Sequence, residues 1–170
     1  MGIFDKNKFA SAKQEWATPQ NLFDALNDRY CFDFDLAADE TNTKCPEYFS
    51  AKTDALEQNW KGKCWLNPPY GSTGRNKLSK WVERAYAQSR DDSCSVTMLI
   101  PARTNTIWWS KYCMRASEVL FVIGRPKFGD AIHGLPQPLA VVTFAATKGK
   151  TRFGSYHVKD AAIITEEVEE

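Results

Sequence analysis

Apolar and polar positions follow two rhythms along this chain. In ATPQNLFDALNDRY, residues 17–30, Leu22, Phe23, Leu26 and Tyr30 recur at helical spacing and make one apolar face. Thr18 is expected to cap this helix and Pro19 to occupy its first turn, where a missing N–H is tolerated. CFDFDLAA then changes to period two and reads as a strand over 32–36, with Asp35 near its C-terminal end. Residues 39–46 read as a loop or a frayed helix, and EYFSAKTDALEQNW as a short strand, a turn at Asp54 and a helical turn. KCWLN is a strand, and NKLSKWVERAYAQS returns to the helical period through Leu78, Trp81, Val82 and Ala85. SVTMLI and EVLFVI are further strands separated by a helix in TIWWSKYCMRA, while PLAVVTFA and RFGSYHV are expected to close the sheet as a pair.

Strands alternating with helices imply an α/β fold, a mostly parallel twisted sheet flanked by helices with an antiparallel strand pair at its C-terminal end. Ligands of such sheets sit at the carboxyl ends of the strands. Those ends carry Asp35, then Asn67, then Pro101-Ala102-Arg103-Thr104, which places three polar endings on one rim.

With 170 residues, 43% of them hydrophobic, the chain suits a single domain spanning 1–170 with a sizeable core. Residues 1–14 are expected to be mobile and the acidic 165–170 disordered. The absence of a long apolar run and of a secretory leader points to a cytoplasmic protein without a membrane partner. Five cysteines without a CxxC pair and two distant histidines indicate neither a disulfide framework nor a metal site, and the thiols are expected to be buried and reduced. Four of the 21 acidic residues fall in 165–170, so the remainder is net basic. Lys61, Lys63, Arg75, Lys77 and Lys80 bracket the segment KCWLNPPYG, and Arg103, Arg125 and Lys127 follow later strands. Cations gathered at strand ends suit a phosphate-binding rim.

The segment Asn67-Pro68-Pro69-Tyr70 carries the chemistry. Prolines end a ladder because they lack the N–H, and Gly71 is expected to let the chain turn. Strand termination does not explain the asparagine and the tyrosine. An exocyclic amine such as that of adenine delocalises its lone pair into the ring and is a poor nucleophile. Two acceptors on its two N–H bonds favour a pyramidal nitrogen and free the lone pair. Asn67 Oδ1 and the Pro68 carbonyl are suited to that role, Pro69 helps fix the carbonyl, and Tyr70 offers a flat face for stacking. Asn67 is neutral and takes no proton as a strong base. Displacement on a methyl sulfonium fits such a site.

The blocks WATPQNLFDAL, FDFDLAA, TDALEQNW, WLNPPYG, LIPARTNTIWW and GRPKF, in this order, resemble the phage DNA N-6-adenine methyltransferase (Dam-like) family. The resemblance implies a Rossmann-like methyltransferase fold that binds S-adenosylmethionine, releases S-adenosylhomocysteine and acts on double-stranded DNA in a bacterial cytoplasm. It implies that Thr18 and Pro19 lie by the methionine moiety and that Asp35, Leu36 and Ala37 form the first cofactor loop. Asp54 and Leu56 would hold the cofactor adenine, while Asn67, Pro68 and Tyr70 hold the target base and Asn67 also borders the cofactor. The segment DLAADETN has no glycine where such enzymes carry a glycine-rich loop. No separate target-recognition domain is evident, so DNA is expected to be read by residues 71–77 and 124–138, with Arg75, Lys77, Arg103, Arg125 and Lys127 on phosphates. A base in RNA, a protein glutamine amide, and nucleic-acid binding without transfer are the alternative readings.

Overall fold

The computed structural model describes residues 17–129, 133–146 and 149–165, so the expectations for 1–14 and for the acidic residues 166–170 fall outside the described residues. Helix α1 (Gln20–Tyr30) buries Leu22, Phe23 and Leu26, as its stripe requires. It ends at Cys31, whose left-handed backbone (φ 54°) lets its N–H reach Asn27 O. Its beginning differs from expectation. Pro19 is the N-cap residue, one position earlier than foreseen, and no side chain caps the helix there. The Thr18 hydroxyl instead accepts a hydrogen bond from Asn67. The first turn is served locally, by Asn21 Oδ1 for the Leu22 N–H and by Pro19 O for that of Phe23.

Ten further elements follow: β1 (Phe34–Asp35), β2 (Glu47–Tyr48), β3 (Gly62–Leu66), α2 (Leu78–Gln88), β4 (Cys94–Pro101), α3 (Ile107–Lys111), β5 (Glu118–Ile123), β6 (Leu139–Phe144), β7 (Arg152–His157) and β8 (Ala162–Thr165). The strand expected over 32–36 contracts to two ladder residues, although the Asp33 and Leu36 N–H groups still bond Lys63 O and Trp65 O of the neighbouring strand.

All eight strands form one sheet in the order β2-β1-β3-β4-β6-β5-β7-β8. β2, β1, β3 and β4 run parallel, β5 and β7 run parallel, and β6 lies antiparallel between β4 and β5. The antiparallel pair at the C-terminal end is present, formed by β7 with β8. PLAVVTFA does not join RFGSYHV as expected. Every residue of β6 is buried, so it gains most from a central position, whereas β7 exposes Arg152 and Phe153 and takes a place near the edge.

Helices cover both faces. Leu78, Trp81, Val82 and Ala85 of α2 join Val96, Met98 and Ile100 in one apolar cluster, with Trp109 of α3. The α1 stripe packs with Trp65, Leu99, Leu120, Val141 and Tyr156 on the other face. Four cysteines are buried and Cys31 is exposed, all of them free thiols. Because β6 is antiparallel to both β4 and β5, the carboxyl ends of β1, β3, β4 and β5 all reach the same edge of the sheet.

Candidate active site

A cleft of about 310 Å³ opens at that edge. Thr18, Asp35, Leu36, Ala37, Asp54 and the whole of Asn67-Pro68-Pro69-Tyr70 line it. The structure therefore gathers into one cavity residues as far apart in sequence as Thr18 and Tyr70. Pro19 and Leu56 adjoin lining residues in the chain but do not line the cleft themselves.

Asn67 follows directly on β3 and holds its amide between two segments. Its Nδ2 donates to Thr18 Oγ1 at 3.1 Å, and its Oδ1 accepts from the Tyr70 hydroxyl at 2.9 Å. The same hydroxyl lies 2.9 Å from the Leu99 carbonyl of β4. Burial raises the Tyr70 phenol above its ordinary value, so it stays a neutral donor. Its ring packs against both apolar clusters.

Gly71 serves a purpose different from a turn. A Cβ at this position would lie 2.6 Å from the Asn76 carbonyl oxygen, because residues 71–77 fold back on themselves. The Leu78 N–H bonds Gly71 O at 3.0 Å and closes that loop.

Asp35 at the end of β1 is 3% exposed. Burial raises its carboxyl above the ordinary value; the N–H groups of Lys44 (3.1 Å) and Ala37 (3.3 Å) and the Lys44 charge pull it partly back. These bonds shape the segment after β1. Asp39 adds a second organising carboxylate, accepting from Thr41 N and Oγ1 and from Asn42 N and Nδ2, which holds it below the ordinary range with the Thr41 hydroxyl first among the causes. Lys44 Nζ reaches Gln20 Oε1 at 2.7 Å and ties the segment to α1. Among the described non-glycine residues, positive φ occurs at Cys31, Asp54 and Ala161, none of them in 36–44. The loop thus needs no left-handed backbone, and glycine is not required where DLAADETN lacks it.

Asp54 has φ 48°, and its side chain caps the short helical turn Ala55–Glu57 by accepting from the Leu56 N–H. The turn at Asp54 was legible in sequence. Asn42, Lys44, Phe49, Ser50, Trp65 and Trp81 also line the cleft and were not singled out as site residues. Lys44 engages Asp35 through its backbone N–H, which no side-chain pattern reveals, and Trp81 sits on the apolar stripe that marked it as core.

Lys77, Arg103, Arg125 and Lys127 are absent from the cleft lining. Each follows the carboxyl end of β3, β4 or β5, and Lys77, Arg125 and Lys127 are exposed while Arg103 is half-buried. The Arg75 side chain lies outside the described residues. No group of three or more metal-ligating side chains is found among the described residues. No helix among them is long and apolar enough to cross a membrane.

The chain is an open, mixed α/β sheet whose cleft joins a strand-end aspartate to Asn-Pro-Pro-Tyr. Residues 6–158 match the family model described as DNA N-6-adenine-methyltransferase (Dam), and the chain belongs to that family. A DNA N-6-adenine-methyltransferase of Haemophilus phage HP1 (strain HP1c1) is 33% identical over 119 residues, 68% of this chain and 66% of that protein. One of Escherichia phage T1 is 33% identical over 110 residues, 63% of this chain and 44% of that protein. The matched stretches thus span about half to two thirds of these relatives' own lengths. Among solved structures, a type I restriction-modification system methyltransferase subunit from Streptococcus thermophilus is similar with a TM-score of 0.48 at 13% identity, over 88% of this chain and 49% of that one.

Proposed function

We infer that this chain is an S-adenosylmethionine-dependent methyltransferase acting on the N6 amine of adenine in double-stranded DNA. The observation that carries the reading is the meeting of Asn67, Pro68 and Tyr70 with Asp35 and Asp54 in one cleft at the carboxyl ends of parallel strands. The named relatives are DNA N-6-adenine-methyltransferases of phages, which favours DNA over RNA or a protein amide and a bacterial cytoplasm as the place of action.

The lining suits the cofactor chemically. Asp35 is a buried carboxylate suited to an ammonium group, with Leu36 and Ala37 beside it. Asp54 and Ser50 offer polar contacts for an adenine and ribose, while Phe49, Ala55 and Trp81 supply apolar surface for a flat base. When bound, S-adenosylmethionine supplies an electrophilic methyl carbon on a sulfonium. Asn67 and the Pro68 carbonyl orient the target amine by accepting its two N–H bonds and so hold the nitrogen towards pyramidal geometry. The Tyr70 hydroxyl donates to the same amide oxygen and helps hold it in place. Tyr70 presents its ring to the base. The amine proton passes to water, because Asn67 has no basic form near neutral pH. Duplex DNA reaches the cleft only with the adenine flipped out of the stack. Lys77, Arg103, Arg125 and Lys127, on the same rim, hold phosphates, as Arg75 would from the 71–77 loop.

The test is incubation with labelled S-adenosylmethionine and unmethylated double-stranded DNA, followed by nucleoside analysis. N6-methyladenine is expected from the wild type and is abolished in Asn67→Ala, with cofactor affinity within a few-fold of normal. Label in RNA or protein and none in DNA overturns the substrate assignment, and loss of cofactor binding in Asn67→Ala moves that residue out of the base site.

A further inference from the structure

The Asn67 amide is gripped at both ends by hydroxyl groups, that of Thr18 from the segment before α1 and that of Tyr70 from its own Asn-Pro-Pro-Tyr segment. Nδ2 donates to Thr18 Oγ1 at 3.1 Å, and Oδ1 accepts from the Tyr70 hydroxyl at 2.9 Å. The single hydrogen of the Tyr70 hydroxyl is shared between Asn67 Oδ1 and Leu99 O of β4, each 2.9 Å away. Leu99 is fully buried and Thr18 is 5% exposed, so the grip belongs to the rigid part of the molecule. Thr18 stands where a helix-capping residue is expected, yet α1 has no side-chain cap. Its hydroxyl is turned towards Asn67 and away from the first turn, whose N–H groups find Asn21 and Pro19 instead.

An asparagine amide can rotate about its Cβ–Cγ bond and exchange oxygen for nitrogen. With the sense reversed, a donor would face the target amine, which itself must donate. Correct orientation therefore matters to the reaction in a way that it does not to folding.

We propose that Thr18 is a positioning residue that, with the Tyr70 hydroxyl, fixes the place and plane of the Asn67 amide so that Oδ1 stands where it accepts from the target amine. The proposal rests on the methyltransferase reading and deepens it. It separates the Tyr70 hydroxyl from the Tyr70 ring: the ring faces the base, while the hydroxyl acts through Asn67. It also gives Thr18 a task distinct from holding the methionine moiety.

Two measurements on the full chain test it. The first is steady-state methyl transfer to unmethylated plasmid DNA, with S-adenosylmethionine affinity determined separately by calorimetry. Thr18→Val keeps the shape and removes the acceptor; it is expected to lower kcat about tenfold or more, with the DNA KM and the cofactor Kd within about twofold. Thr18→Ser is expected to restore kcat to within about threefold of wild type, and Tyr70→Phe to lower kcat as Thr18→Val does. The double variant Thr18→Val with Tyr70→Phe loses less than the product of the single losses, because both act on one amide. The second measurement is ¹⁵N relaxation of the Asn67 side-chain amide, assigned by its disappearance in Asn67→Ala. Its order is expected to fall in Thr18→Val and to return in Thr18→Ser.

An unchanged amide order in Thr18→Val overturns the proposal, as does a loss confined to cofactor affinity, which would make Thr18 a cofactor contact. Should the wild type transfer no methyl to DNA, the functional reading fails, and the amide order alone still decides the grip: a fall supports it and no change overturns it.

Discussion

Asp35 combines two demands that pull against each other. Its carboxylate is buried, which raises its pKa, and in the proposed function it must be ionised to hold an ammonium group. As pH falls through that raised value the carboxyl takes up a proton and the attraction is lost. Cofactor affinity is therefore expected to decline on acidification with a midpoint above the ordinary aspartate value of 3.8. Asp35→Asn is expected to weaken binding about 10- to 100-fold at neutral pH, the range of a charge-assisted hydrogen bond, and to abolish this pH dependence. Calorimetric titrations between about pH 4.5 and pH 8 check both, with a tight, pH-dependent Asp35→Asn variant the outcome that sinks the assignment. Stability runs the other way. Below the ordinary value Asp35 is protonated both folded and unfolded; as pH rises through the raised folded value, the apoprotein carries the burden of a buried charge. The contribution of Asp35 to stability is thus fully present in acid and lost on the alkaline side of that window, which melts of wild type and Asp35→Asn across it would show. At this scale the sequence was informative wherever a residue's type declared its chemistry. Asp35 and Asn67 were identifiable because a polar residue ending an apolar strand needs a reason. Thr18 was recognised as belonging near the site through family resemblance, but its bond to Asn67 spans 49 positions, and no local pattern encodes a contact of that range.

The elements were legible where period and length agreed. Helices α1 and α2 fall within the segments that their stripes marked, since three or four buried positions per helix leave little freedom of register. β1 was overestimated because CFDFDLAA keeps period two beyond the two residues that pair in a ladder. The connection from β3 to α2 carries a lesson of a different kind. Gly71 looks like a turn residue, yet its backbone is not in the left-handed region; what requires glycine is the Asn76 carbonyl, 2.6 Å from where a Cβ would stand. A backbone atom of the same tight loop cannot step aside as a flexible side chain can. Gly71→Ala is expected to destabilise the protein by about 1–3 kcal/mol, the usual range for overpacking, and to lower methyl transfer because Tyr70 adjoins the displaced residue. Thermal unfolding together with the transfer assay measures the two effects. An alanine variant with unchanged stability would show that the loop relaxes freely.

At the scale of the molecule, parallel strands and flanking helices followed from alternation, but the place of β6 did not. A strand that is apolar on both faces announces that it is central without saying between which neighbours it lies. That insertion matters functionally. By separating β4 from β5 with an antiparallel strand, it keeps on one edge the carboxyl ends that Arg103, Arg125 and Lys127 follow, the edge at which β3 also ends before Lys77. Cations that hold phosphates release condensed counterions, so their contribution is read in the salt dependence of binding rather than in affinity at one ionic strength. Each phosphate contact contributes about 0.9 to the slope of log affinity against log salt on duplex DNA. Replacing the four residues by alanine one at a time is expected to flatten that slope by about this amount each and to weaken binding similarly on unrelated duplex sequences. S-adenosylmethionine affinity is expected to hold, because none of the four lines the cleft. Weaker DNA binding with an unaltered salt slope would remove these residues from the phosphate interface and shift the search to the base-reading loops; a loss of cofactor affinity would mean that they support the cleft itself.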